Sequence, residues 1–199
     1  RTGDQFFVVG GYENRNVSTN FGQKPFKFPP PDGFQPLTTA NVRPVKVISR
    51  PDQFVGVATY RGNGSSVTVS DYQFKPDLVW IKGYTDADRH GWYDSVRGVQ
   101  KRLQTAHALD EDTQNGVMTF ESNGFSVGNY AETNGSDRSY VGWCWKAGGN
   151  KNTFNVDDVG YASAAAAGLT GGSYSLTKAS VGTKQGFSIV QWTHSSGTA

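Results

Sequence analysis

Tyr84, Asp86, Asp88, Arg89, His90, Trp92, Tyr93 and Asp94 crowd into one short stretch of the chain. These are the residue types that hold sugars: an aromatic face stacks on C–H groups while carboxylates and guanidinium groups bond to hydroxyls. Tyr84, Asp86, Arg89, Trp92 and Tyr93 are therefore the candidate glycan-binding set. The competing reading is that Trp92 and Tyr93 simply close a core. Tyr130 and Asp137-Arg138 form a second loop open to the same two readings. Asp86 and Asp88, and further on Asp110, Glu111 and Asp112, offer the hard oxygen ligands that calcium takes, though without the spacing of an EF-hand loop. No His/Cys pairing suits zinc.

Catalytic chemistry is harder to assemble from this sequence. The single thiol, Cys144, sits mid-strand between Trp143 and Trp145 and lacks the electropositive setting a thiolate needs. It reads as a small buried hydrophobe. The histidines are His90, His107 and His194, with no nucleophile placed beside them by spacing. A glycosidase needs two carboxylates facing each other across a cleft, and the available acids read instead as solvated loop residues. No glycine-rich loop with phosphate-cradling spacing is followed by Lys and Ser/Thr. The expectation is a non-enzymatic protein with no catalytic residues and no required cofactor, calcium being the one ion with candidate ligands.

The elements that must position these residues are strands. The 199-residue chain has 25 glycines and 13% aromatics, a mixture that favours short strands and tight turns over helices. Its 19 basic and 17 acidic side chains give a net charge of +2, which leaves no footprint for nucleic acid or an anionic membrane surface. No stretch approaches the ~20 apolar residues of a membrane span.

Strands are expected at Phe54 to Tyr60, Val67 to Val69, Leu78 to Lys82, Val117 to Phe120, Phe125 to Val127 and Tyr140 to Lys146. Glu121-Ser-Asn-Gly should turn a hairpin, since Asn-Gly accepts positive φ. On the last strand Val141, Trp143 and Trp145 share one face, and Gly142 and Cys144 the other. Trp, Phe and Val are expected to fill the inner faces of the stack. Ser95 to Leu109 reads as a short helix or an irregular excursion, and the alanines of 162–167 as a linker turn.

The organisation expected is a first module in residues 1–37 and a Pro-rich connector over 38–52. A β-sandwich over 53–147 follows, then a Gly/Ala/Ser-rich connector over 148–185. Residues 186–199 echo the opening of the sandwich and read as the first strand of a repeated module. Both chain ends read as cut from something longer.

Two phrases carry a family resemblance. Asn20 to Leu37, with Asn-Phe-Gly leading to Pro-Phe and Pro-Pro-x-Gly-Phe, resembles the C-terminal end of a SPRY-type β-sandwich. Phe74 to Gly83, Arg89 to Val99 and Tyr140 to Gly149 together are similar to a concanavalin-like, laminin-G-like module of phage tail-fibre and other virion proteins. The resemblance implies an all-β, antiparallel sandwich (jelly-roll, concanavalin-like) with partial flanking modules. It implies a virion structural protein, a tail-fibre, horn or decoration component active in assembly and host attachment. Its partners would be copies of itself, other virion proteins and a host surface glycan, with no nucleic acid and no membrane. Its place would be the virion, after synthesis in the host cytoplasm. A lectin-like module is the alternative, and a tailspike-type glycan-degrading enzyme a third reading.

Overall fold

The computed structural model describes Ile48 and residues 50–193. The expected module in 1–37, most of the 38–52 connector, His194 and the end of the chain lie outside the described residues. Contacts divide the chain into two compact units, Arg1–Val47 and Ile48–Ala199, and all described residues belong to the second.

The architecture is all-β. One four-stranded sheet runs in the order β1 (Val55–Arg61), β9 (Ser139–Trp145), β3 (Leu78–Gly83) and β4 (Gly91–Asp94), antiparallel throughout. Facing it is a sheet of β2 (Val67–Val69), β8 (Gly124–Val127) and β7 (Val117–Glu121). Ala58, Val79, Ile81, Tyr93, Tyr140 and Cys144 from the first sheet meet Val69, Val117, Phe125 and Val127 from the second, with Tyr72 and Phe74 between them. This is the expected antiparallel sandwich.

Phe and Val fill the inner faces as expected, but the tryptophans do not. Tyr140, Gly142 and Cys144 are buried, while Val141, Trp143 and Trp145 on the alternate face stay partly open. The reason is steric. A side chain at Gly56 would collide with the Tyr72 ring, and one at Gly142 would press on Phe125. Small residues line the four-stranded sheet so that large rings from the other layer can enter, which turns its tryptophans outward.

The β7–β8 hairpin forms as expected, closed by the pair Glu121 and Gly124. Its glycine serves another purpose, because neither Asn123 nor Gly124 has a positive φ. An added Cβ at Gly124 would run into the carbonyl of Val69 on β2. Asn123 then stitches the turn to the neighbouring chain, donating its amide to Ser70 O at 3.0 Å while its own carbonyl accepts Tyr72 N at 3.1 Å.

Residues 95–116 are not helical. Turns lead to the short strands β5 (Lys101–Arg102) and β6 (Asp112–Thr113), which pair with each other. One α-helical turn, α1 (Ala131–Asn134), occurs among the described residues.

The largest departure is the expected connector 148–185. It contains β10 (Phe154–Val156), β11 (Val159–Tyr161) and β12 (Ser175–Gly182), and with β13 (Phe187–Thr193) these form a second four-stranded sheet, ordered β11-β10-β12-β13. Asp157 and Asp158, at φ +48° and +67°, make the tight turn between β10 and β11. β13, expected to open a new module, pairs along its length with β12 instead. The turn over 162–167 is as expected: Ala167 N bonds Ser163 O and Ser163 Oγ caps Ala166 N.

Cys144 lies fully buried in the core, and burial pushes its thiol pKa up to about 12. Thiol reagents at mildly alkaline pH are expected to leave the native protein unlabelled and to modify it once urea unfolds it. Labelling of the native chain at the rate of a free thiol would contradict this packing.

Candidate functional site

The alternation that buries Tyr140, Gly142 and Cys144 builds a continuous aromatic row on the opposite face of the same sheet. Register pairs Val57 with Trp143, Trp143 with Trp80, and Trp80 with Trp92, so one side chain from each of the four strands joins the row. At about 4.8 Å per strand the row crosses about 14 Å of sheet. Trp80 is its centre, with ring centroids 5.0 Å from Trp143, 6.0 Å from Trp92 and 5.5 Å from His90. Leu103 extends it, since its backbone and that of Trp92 exchange two 3.0 Å hydrogen bonds. The exposed ends are Val57, at 60% of its free surface, and Leu103, at 38%.

Two polar atoms sit within this apolar face without a hydrogen-bond partner among the described residues, Trp80 Nε1 and His90 Nδ1. Burial, and then the nearby Lys82 charge, lower the His90 pKa, so the imidazole is neutral at physiological pH. An antiparallel sheet that meets water on one face normally carries polar residues there. This one carries indoles.

The sugar-binding candidates do not converge. Tyr93 is wholly buried in the core, so it cannot meet a ligand, while its neighbour Trp92 joins the outer row. For Tyr93 the core reading is the correct one. Tyr84 and Arg89 are exposed on the loop after β3. Asp86 and Asp88 both face Arg138, at 3.5 and 2.6 Å, and the backbone carbonyl of Asp86 accepts Lys82 Nζ. Their carboxylates are thus directed at a guanidinium. Among the described residues, no three of His, Cys, Asp and Glu gather as a metal-holding group. In the second loop, Asp137 pairs with Arg61 on the surface.

Asp94 and Glu111 are likewise held by cations. Asp94, nearly buried, bonds Arg97 Nε at 2.6 Å and accepts the backbone N–H groups of Val96 and Arg97. Glu111 meets Arg97 and Lys101. Arg97 and Lys101 are therefore neutralised locally.

Sequence reasoning missed two buried polar centres. Arg102 is 2% exposed and is held by Asp112, Glu132 and the Tyr130 hydroxyl, with the Tyr130 ring 4.9 Å from its guanidinium carbon. Asp77, 1% exposed, accepts Ser95 Oγ, Ala147 N and Gly149 N. Neither leaves a local signature, because the partners lie 10 to 72 residues away in the chain.

Fold and surface together define an all-β sandwich domain with an aromatic outer face. The chain belongs to the family described as Domain of unknown function (DUF7483), whose model matches residues 50–199. That stretch is the second compact unit, Ile48–Ala199, almost end to end, so the sandwich and the sheet that follows it fall within one domain. No curated protein and no solved structure matches the chain.

Proposed function

We propose that this protein is a non-enzymatic structural module of a virion, of the tail-fibre, horn or decoration kind, which works by packing against further copies of itself. The observation that carries the reading is the Val57–Trp143–Trp80–Trp92 row on the outer face of the sandwich. A contiguous apolar patch on the water side of a sheet is the usual mark of a protein–protein contact. Tryptophans supply most of the energy of such contacts, because each ring removes a large apolar area from water. Beside the row, β1 is the edge strand of its sheet and presents exposed Val55 and Val57, without a charge at either position to discourage pairing.

The state of the acids supports a non-catalytic role. Glycoside hydrolysis needs a carboxyl group whose pKa is raised so that it can donate a proton. The Arg102 hydrogen bond instead holds Asp112 below the usual carboxylate range. Asp86, Asp88 and Asp94 are each engaged by an arginine.

Light scattering coupled to size-exclusion chromatography tests the assembly reading. The chain is expected to elute as an oligomer, and Val57→Lys to shift it towards monomer with an unchanged circular-dichroism spectrum. A wild-type monomer that persists on concentration would remove the reading.

A further inference from the structure

A groove lies beside the β12–β13 pair of the second sheet. The 162–174 segment, which joins β11 to β12, runs beside the paired residues Leu176 and Trp192 and borders this open groove of about 840 Å³. That volume falls within the 300–1,000 Å³ typical of small-molecule sites. Three features set it apart from an ordinary crevice.

The first is Trp192, which keeps 53% of its surface exposed on the wall of the groove. Along β13 the burial pattern alternates at first and then becomes exposed through Val190 to Thr193, so the strand presents this ring outward. A β-bulge between Leu176 and Lys178 shifts the register at the same point, and bulges re-aim the side chains beside them.

The second is the backbone of this segment. Gly168 and Gly171 have φ of +69° and +108°, and an added Cβ at either would meet nothing within 4 Å. These glycines are not making room for packing. Their positive φ, which L side chains rarely adopt, is what calls for glycine there, while Ala164 and Ala165 line the groove with minimal bulk.

The third is the chemistry of the lining. It holds no charged side chain, and hydroxyls from Thr170, Ser173 and Ser175 stand beside the apolar wall. An anionic ligand would find no cation here, and a purely apolar one would leave the hydroxyls desolvated. A neutral saccharide satisfies both halves: its C–H face covers the indole, and its own hydroxyls exchange hydrogen bonds with Ser and Thr.

We propose that this groove is a binding site for neutral glycan, one or two sugar rings stacked on Trp192. The site is separate from the aromatic row on the sandwich and does not depend on assembly.

An array carrying neutral, sialylated and sulfated glycans tests it with the full chain, followed by calorimetric titration with the best neutral oligosaccharide. Binding is expected among neutral glycans, with free monosaccharide competing. Trp192→Ala should weaken it at least tenfold, the order of loss for an aromatic anchor at the centre of a contact. Ala165→Trp, which fills the groove and leaves Trp192 in place, should abolish binding with an unchanged melting temperature. Absence of binding to neutral glycans, preference for the anionic ones, or wild-type affinity in both variants would each overturn the proposal. Sugar binding by a monomeric chain would bear it out while removing the assembly reading.

Discussion

Replacing Arg102 by methionine is expected to destabilise the domain by about 3 kcal/mol, among the largest effects available from a single surface-distant side chain. The guanidinium is 2% exposed and uses all its edges: Nε and Nη2 on Asp112, Nη1 on Glu132 and on the Tyr130 hydroxyl. Burial by itself would lower the arginine pKa. The hydrogen bond to Asp112, with Tyr130 and Glu132, outweighs that and raises it. Methionine matches the stem but removes the charge, leaving two carboxylates facing each other with nothing between them. Glu132 is 19% exposed and Asp112 33%, so water relieves part of the repulsion and the loss falls at the lower end of the 3–5 kcal/mol seen for broken buried pairs.

The same network fixes a pH signature that a mere packing defect would not show. Asp112 is lowered first by its bond from Arg102, against burial, with Gln114 adding a second hydrogen bond. A carboxylate with a depressed folded-state pKa contributes stability that is fully present above its unfolded value, near 3.9, and lost as pH falls through the folded one. Urea titrations of wild type and Arg102→Met should therefore differ most at neutral pH and converge below about pH 4. A gap independent of pH would show that Arg102 acts through volume alone.

The sandwich was legible in the sequence because its central strands are apolar or alternating runs of six or seven residues that end at clear turns. β3 and β9 are such runs, and both are central in the sheet. Which face turned inward was not legible. Hydrophobicity alone sends Trp143 inside, and only the bulk of Tyr72 and Phe125, arriving from elsewhere in the chain, reserves the inner positions for Gly142 and Cys144.

The second sheet escaped for a different reason. β10 and β11 are three residues each, too short for periodicity, and their turn is Asp157-Asp158 where Asn-Gly would have announced it. The parallel pairing of β10 with β12 crosses the alanine- and glycine-rich stretch that looked like a linker. As for the candidate site, the stretch from Tyr84 to Asp94 held the right residue types, but strand alternation sent Trp92 and Tyr93 to opposite faces. The groove at Trp192 had no motif at all, since Leu176 and Trp192 meet only through the β12–β13 register.

The joint between sandwich and second sheet is expected to fail when Asp77 becomes alanine. Asp77 stands just before β3 and bonds in three directions: Oδ1 accepts Ser95 Oγ at 2.9 Å, and Oδ2 accepts Ala147 N at 2.8 Å and Gly149 N at 3.1 Å. Ala147 to Gly149 is the short span that leaves β9 for the second sheet. From the other side Ser180 Oγ accepts Gly148 N and Gln185 donates to the carbonyls of Lys146 and Ala147. Alanine at 77 leaves two backbone N–H groups and a hydroxyl without their acceptor. Hydrogen bonds to a charged group contribute about 1.5–3 kcal/mol each, and the three are coupled, so a total near 4 kcal/mol is expected. Asparagine separates geometry from charge. Its Oδ1 can take the two backbone N–H groups while its Nδ2 donates to Ser95 Oγ, which accepts as readily as it donates. Asp77→Asn should then cost only about 1 kcal/mol, and limited proteolysis should cut near Gly149 in the alanine variant alone. Equal losses in the two variants would mean that the carboxylate's charge, not its arrangement of acceptors, holds the two sheets together.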